Sequence, residues 1–476
     1  MKMAGLRKKN HNDYERMTGT PIPKLILSLC AATVLSNLIS SVYNMADTYF
    51  VSQIDTSASA AVGAVYPIQA VIQAVGYGMG MGSGCLLSKA LGAKEKEKAS
   101  RYAASALLFT ALFGLLFGIG CQFILSPLMV FLGSTETMLP YAVSYARFIL
   151  FGAPMMMVSY ILSTTLRWQG KAFHAMIGLC TGGILNLLLD PILMFTCGMG
   201  VGGAAFATFL SQLISFLILL VFYLCGCSSV SISPKNASRS PKTYGQIILA
   251  GIPTFFRQGL GSLSSALLTR ETKAIAMLLS GDLAYVDASV AAISIANKVY
   301  TFCRNIVLGV GQAFQPVAGF NYGAKKYKRV KAAFLFATLI GTVFCVLNAA
   351  AIFLFSGQIM TFFRADDAIV IEIGSRALVF LAAILPTLAF STFVNQLYQS
   401  LGFALPATIL ACCRQGIFYI PLIFLLPKYL GIDGISATQP LSDLLTALVS
   451  LPFLLWFFRK ILSEEKEKVP ALSKEE

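Results

Sequence analysis

Twelve apolar runs follow one another along the chain, each about 20 residues or longer and each closed by a polar or Gly/Pro break. About 20 apolar residues are what a helix needs to cross the roughly 30 Å hydrocarbon core of a bilayer. The runs lie near 24–53, 57–88, 99–131, 138–165, 172–196, 203–226, 245–279, 287–318, 329–357, 370–398, 405–427 and 435–458. Several exceed 25 residues, so those helices tilt or protrude from the bilayer. Of 476 residues, 57% are hydrophobic and 12% charged. A soluble chain of ordinary composition is about one quarter charged. It could not hide this much apolar surface, which excludes a cytosolic enzyme, a disordered chain and a secreted disulfide scaffold.

The basic residues test the count. With alternate loops labelled inside and outside, starting from an inside N-terminal tail, 26 Lys/Arg fall inside and two, Arg364 and Lys428, fall outside. The inside set includes Lys89–Arg101, Arg167 with Lys171, and Lys325–Lys331. Outside loops carry acids: Asp55, Glu136, Asp282, Asp287, Asp366, Asp367 and Asp433. One missed span would scramble that split, so the expectation is twelve helices with both termini cytoplasmic. The net charge of +15 is then loop charge. Nucleic-acid binding would need it gathered on a soluble face, and none is long enough. The N-terminus is too polar for a cleaved signal peptide and is expected to be retained.

The eleven cysteines sit almost wholly in apolar runs and read as small buried apolar residues. Neither Cys225-x-Cys227 nor Cys412-Cys413 has a zinc spacing. His11 and His174, in a basic tail and a basic loop, suggest no metal site.

The two halves match at one offset. Gly78-x-Gly80 recurs as Gly309-x-Gly311, Gly92-Ala93-Lys94 as Gly323-Ala324-Lys325, Gly200 and Gly203 as Gly431 and Gly434, and Ser211 as Ser442, all shifted by 231. Gly170 pairs with Gly402 and Pro191 with Pro421 within one residue of that shift. The expected fold is an all-α membrane protein, with twelve transmembrane helices in two six-helix bundles related by an internal repeat. Its parts are a cytoplasmic N-tail 1–23, an N-lobe 24–227, a cytoplasmic linker 228–244, a C-lobe 245–459 and a cytoplasmic C-tail 460–476. An even number of spans per half makes the repeats parallel. Transporters that rock two bundles about a central cavity use that plan, and channels can share it.

Charges inside spans are costly unless paired or wet, so they are the residues to question. Tyr43, Asn44 and Asp47 share one helix face by i, i+3, i+4 spacing, and Asn186 and Asp190 are an i, i+4 pair. Pro191 frees the Leu187 carbonyl one turn from Asp190. Asp47 lies six residues from the outer end of its run, about 9 Å at 1.5 Å per residue. Asp190 is near the outer end of the fifth run, and Thr208 is five residues into the sixth. The four therefore share a depth. Two close carboxylates in a low-dielectric site share a proton, or hold a cation with the Asn and Thr oxygens. A hydrogen-bonded pair that lines nothing is the competing reading.

The second half lacks the acids and offers Arg257, Gln258, Asn297, Lys298, Arg304, Asn395, Gln399, Arg414, Gln415 and Asp443, with Asp443 expected to pair with a basic neighbour. Glu271 beside Arg270 and Lys273 reads as a neutralised local cluster. Met79, Met81 and Met155–Met157 read as packing or lipid-facing, with an adaptable greasy cavity as the other reading. Gly78–Gly84 suits close helix packing and has no Walker A pattern, so ATP-driven transport is unsupported.

Tyr43-Asn44-Met45-Ala46-Asp47-Thr48, the two Gly-Ala loops at Gly92 and Gly323, Arg167-x-Gln169-Gly170, Asn186-x-x-x-Asp190-Pro191 and Gly200-x-x-Gly203-Ala204-Ala205-x-Ala207-Thr208 together resemble the multidrug and toxic compound extrusion (MATE) family of prokaryotes. The likeness runs from about Pro21 to Lys460. It implies a two-lobed secondary-active antiporter with a central cavity, working by alternating access. Such a protein exports cationic amphiphilic compounds in exchange for H⁺ or Na⁺. It is not an enzyme and uses no cofactor besides the coupling ion.

The matching coupling-ion positions are Asp47, Tyr145, Asn186, Asp190 and Thr208. Asp47, Asn186, Asp190 and Thr208 would ligate Na⁺ if that is the ion. Asn44, Gln212, Arg257, Gln258, Asn297, Asn395 and Arg414 are the candidates for the substrate cavity. The expected setting is the bacterial inner membrane, as a monomer in the lipid bilayer.

One departure is the lack of any proline between Pro23 and Pro67, so a proline-dependent bend of the first helix is not expected. Three alternatives stand beside this reading. A lipid-linked oligosaccharide flippase of the same superfamily would want a more basic cavity. A channel would want a filter motif. A membrane enzyme would want a nucleophile–base or metal constellation.

Overall fold

The computed structural model describes residues 13–54, 56–364 and 367–472. The rest of the expected tails, the loop acids Asp55 and Asp366, and the side chain of Asn44 lie outside the described residues. Every regular element described is helical. In order these are α1 (Ile22–Ser52), α2 (Thr56–Gly92), α3 (Lys96–Phe123), the short α4 (Leu125–Phe131), α5 (Leu139–Trp168), α6 (Ala172–Pro191), α7 (Gly200–Leu224), α8 (Pro241–Ser280), α9 (Leu283–Gly323), α10 (Tyr327–Phe363), α11 (Ala368–Ser400), α12 (Ala404–Cys412) and α13 (Tyr419–Leu472). Two π-helical turns, Ile192–Thr196 and Cys413–Ile417, continue α6 and α12.

An all-helical answer is what lipid demands, because each helix satisfies its own backbone donors and acceptors. Large side chains such as Phe123, Phe131 and Phe362 stand exposed on the outer faces. Loop acids do local work: Asp282 accepts from the Ala284 N–H at the start of α9, and Asp367 from those of Ile369 and Val370 at the start of α11.

Among the described residues, nine helices are long and apolar enough to cross a membrane, against the twelve runs of the sequence. The difference has two physical sources. α8 and α9 carry Arg257, Arg270, Glu271 and Lys273, and Asp287, Lys298 and Arg304, respectively, and are too polar to count. Ala404–Arg459 counts once because helix continues on both sides of a sharp break at Gly431 (φ 59°, ψ −133°). α1 runs unbroken without an internal proline.

The 231-residue shift reappears in the backbone. Lys94 (φ 65°) and Lys325 (φ 57°) are the positive-φ non-glycine residues among those described, and they occupy equivalent turns. Such φ values are uncommon without glycine. Gly200 (φ 55°) matches Gly431 (φ 59°), and Gly170 (φ 77°) matches Gly402 (φ 76°).

The seam between the halves is reciprocal as well. α2 packs on α8 while α9 packs on α1. A Cβ on Gly92 would stand 2.1 Å from the Phe320 carbonyl oxygen, and one on Gly323 would stand 2.1 Å from that of Lys89. Two helix ends thus cross at backbone contact. Gly82 faces the Ile247 carbonyl just as tightly, at 2.1 Å. Gly92→Val is therefore expected to pry this end apart. Site-resolved N-ethylmaleimide labelling of Cys85, which is buried there and donates to the Ser400 carbonyl, should rise several-fold. Unchanged labelling would count against a closed seam.

The same end is stitched by side chains. Arg167 donates to Gln312 Oε1 (2.6 Å), Lys89 to the Leu401 carbonyl (2.9 Å) and Ser88 to the Pro316 carbonyl (3.2 Å). Segment 13–20 lies across it as a strap. Asp13 pairs with Lys171 at 2.9 Å, and Met17 is buried against Gly170. Asn321 donates to the Met17 carbonyl, and Lys326 to that of Thr18.

Several local expectations are corrected. Arg167 is in the last turn of α5 and buried, not in a loop, because Gln312 and Thr164 accept its guanidinium. His174 belongs to α6, not to a loop, with its ring edge-on to Phe222. Cys197 and Cys225 are exposed, since both fall at helix ends rather than within the packed spans. The stretch expected as linker ends at Ser240, where α8 begins, and is pinned along α3 by Ser100 and Ser105. Met79, Met81, Met156 and Met157 are buried in packing, as expected.

Candidate functional site

Glycines bring the acid-bearing helices together. On α6, Gly183 lies against Ile39 and the Tyr43 ring of α1, while Gly178 and Gly182 admit Leu219 and Ser215 of α7. Larger side chains there would hold α1 and α7 off. The result is one group of polar side chains inside the first half. Asn186 Nδ2 donates to Asp190 Oδ1 (3.0 Å) and to Thr208 Oγ1 (3.3 Å). Tyr145 adjoins the Asp47 carboxylate and accepts from Gln69 Nε2 at 3.4 Å. Asp47 and Asp190 are close enough to repel each other. Asp190 is fully buried, and Asn186, Tyr145 and Thr208 nearly so.

All five expected coupling-ion residues meet here. Thr208 is deeper than expected, because α7 starts at Gly200 rather than near residue 203. Gln69 of α2 was not anticipated: a lone Gln in an apolar run carries no pattern. Asp190 stands at a change of winding, with the π turn Ile192–Thr196 following Pro191. Such turns are frequent at functional sites.

The decisive property is what remains unbonded. Asp47 Oδ1, Asp190 Oδ2 and Asn186 Oδ1 are buried and have no hydrogen-bond partner among the described residues. Buried acceptors are normally satisfied. Three free oxygens on two adjoining helices, two of them on carboxylates, suit a proton or a small hard cation.

The second half holds a cavity of about 260 Å³. Arg257, Gln258, Asn297, Asn395 and Arg414 line it, as expected, along with Arg304 and Tyr300. Gln212 does not: it sits on α7 in the other half. Lys298 is exposed and outside it, and Gln399 is spent on Thr254. Tyr66 and Gln73 of α2 reach in from the first half. The sequence holds no sign of that, since only the seam aims α2 at the cavity.

Asp443 pairs with Arg414 (Nε–Oδ1 2.7 Å) and accepts from Gln439 and Tyr300, while Tyr300 accepts from Arg414 Nη2 at 2.7 Å. Arg414 belongs to the π turn Cys413–Ile417. Glu271 lies 3.9 Å from Arg270. Among the described residues, no group of three or more His, Cys, Asp or Glu is placed to hold a metal ion.

The MatE family model matches residues 32–192 and 262–425, one segment in each half. The chain belongs to the MatE family. MepA, a multidrug export protein of Staphylococcus aureus, is 25% identical over 437 residues, covering 91% of this chain and 93% of its own. An FAD transporter of Shewanella oneidensis is 24% identical over 445 residues, covering 92% and 95%. A solved multidrug resistance MATE family transporter in an outward-facing conformation superposes with a TM-score of 0.86 at 26% identity, covering 95% of this chain and 98% of that one.

As a MatE member the chain is an integral membrane transport protein. The MatE match includes Asp47, Tyr145, Asn186 and Asp190 in one half, and Asn297, Arg304, Asn395 and Arg414 in the other. Thr208, Arg257 and Asp443 fall outside it.

Proposed function

We propose that this chain is a secondary-active efflux antiporter that expels small organic compounds in exchange for H⁺ or Na⁺ taken up at Asp47, Tyr145, Asn186, Asp190 and Thr208. The observation that carries this is the trio of buried, unbonded oxygens on Asp47, Asn186 and Asp190. Left as carboxylates in a low-dielectric site, the two acids repel; a proton or Na⁺ removes that penalty. Occupancy by the ion then changes the relative stability of the two access states. That differential affinity is all that coupling requires. Thr208 holds Asn186, which donates to Asp190, and Tyr145 stands beside Asp47.

The architecture in this reading is twelve spans in two six-helix bundles, an N-lobe 24–227 and a C-lobe 245–459, with the linker and both tails cytoplasmic in a bacterial inner membrane. The matched backbone turns and the reciprocal seam support the duplication. The basic residues gathered at the stitched end support placing that end in the cytoplasm. The cavity then opens away from it. The protein acts as a monomer in this reading. Cationic amphiphilic compounds are the cargo implied by the family, and the first half holds the matching acids. The relatives' names favour drug export over the oligosaccharide flippase.

Ethidium efflux from energised cells, with the H⁺ and Na⁺ gradients collapsed separately, tests this reading. Efflux should stop with one gradient and persist with the other, which names the ion. Efflux indifferent to both would refute antiport.

A further inference from the structure

We propose that the cavity of the second half is an anion-binding substrate site, which takes the carboxylate or phosphate group of transported compounds on Arg257 and Arg304. The inference rests on reading the chain as an efflux transporter and assigns a cargo class that the first-half acids do not.

Three arginines line the cavity, Arg257, Arg304 and Arg414, and no carboxylate does. Arg414 is already committed to Asp443, behind the wall, and to Tyr300 in it. Arg257 and Arg304 make no hydrogen bond or ion pair among the described residues, and Arg304 Nε is buried and unsatisfied. The three guanidinium groups also repel one another. Such an arrangement is costly inside a membrane protein, where charges are ordinarily paired.

An anionic group between Arg257 and Arg304 would supply the missing partner. The planar guanidinium fork suits the two oxygens of a carboxylate or phosphate. Gln258, Asn297, Thr301 and Gln415 add neutral polar groups, and Tyr66 offers a half-exposed ring for an aromatic body. The volume, about 260 Å³, is near the lower end for small-molecule sites, so the charged end of a compound fits inside while the rest extends toward α2.

The test uses the purified full chain in uncharged detergent and two dyes with the same xanthene core, anionic fluorescein and cationic rhodamine 123. Fluorescein anisotropy should report binding that weakens at least tenfold in Arg257→Gln and in Arg304→Gln, and that recovers in part in Arg304→Lys. Rhodamine 123 binding should not weaken in these variants. Because each Gln variant removes an uncompensated buried charge, both should melt no lower than wild type without ligand, while fluorescein should raise the melting temperature of wild type only.

Fluorescein binding that is absent, or equal in wild type and both Gln variants, overturns the proposal. Phosphatidylglycerol carries the same chemistry from a lipid. If it copurifies with wild type but not with Arg257→Gln/Arg304→Gln, and adding it displaces fluorescein, the site is a lipid headgroup site and the cargo assignment fails. These binding readouts need no ion gradient. Loss of efflux with fluorescein binding intact would therefore indict the antiport reading alone.

Discussion

Asp190→Asn is expected to reduce gradient-driven efflux to the level of cells lacking the transporter, with the protein still folded and in the membrane. The substitution keeps the side-chain volume and leaves an oxygen to accept from Asn186, whose present bond to Asp190 Oδ1 is 3.0 Å. What it removes is the charge and with it the exchangeable site. Asp190 is fully buried, so no water takes over that role. Asp47→Asn should give the same loss, and the double variant should be no worse than either single one, because the two acids act as a unit. Expression and elution profile, compared with wild type, separate lost coupling from lost fold. Wild-type efflux in Asp190→Asn would sink the assignment of this site, though not of export itself.

Asp443→Asn carries the second large effect, on stability. Asp443 is 2% exposed and accepts from Arg414, Tyr300 and Gln439. Its loss strands Arg414 beside Arg257 and Arg304 with no opposing charge. Breaking a buried pair by removing one partner costs about 3–5 kcal/mol. Arg414→Gln in the same protein should recover most of that, since the stranded charge goes with it. Unfolding in detergent, followed across wild type, both single variants and the double, measures this directly. A single-variant loss below about 1 kcal/mol, the level of an exposed pair, would mean that water reaches the pair. The anion-binding site would then weigh less in the energetics of the second half.

How legible was all this in the chain? The acids were legible because their signals are local: an i, i+4 pair, a proline, and a depth counted from the end of a run. Tyr145 emerged only through resemblance, since a tyrosine in an apolar run has no spacing partner. Gln69 emerged from neither, because what makes it part of the group is the packing of α2 on α5. The second half was half legible. Of the six expected cavity residues whose side chains are described, five line the cavity, yet Gln212 does not, because depth along a helix says nothing of which lobe a face looks into. Arg167 was misread for a related reason. Its basic character suggested a loop, and its burial depends on Gln312, 145 residues away in the chain, together with the local acceptor Thr164. Residues whose role depends on a contact across the seam are the ones a linear reading misses.

The strap over 13–20 has a kinetic meaning. It touches Lys171 of the first half and Asn321 and Lys326 of the second, so it fastens both at once. Separating the halves at this end must first peel those contacts away, each a bond of about 1 kcal/mol. None of them lies near the acids or the arginines. The strap behaves as a clasp on the cycle: it sets how often the molecule turns over without altering what either site binds. Changes to residues 13–20 should therefore register as tempo, not as taste.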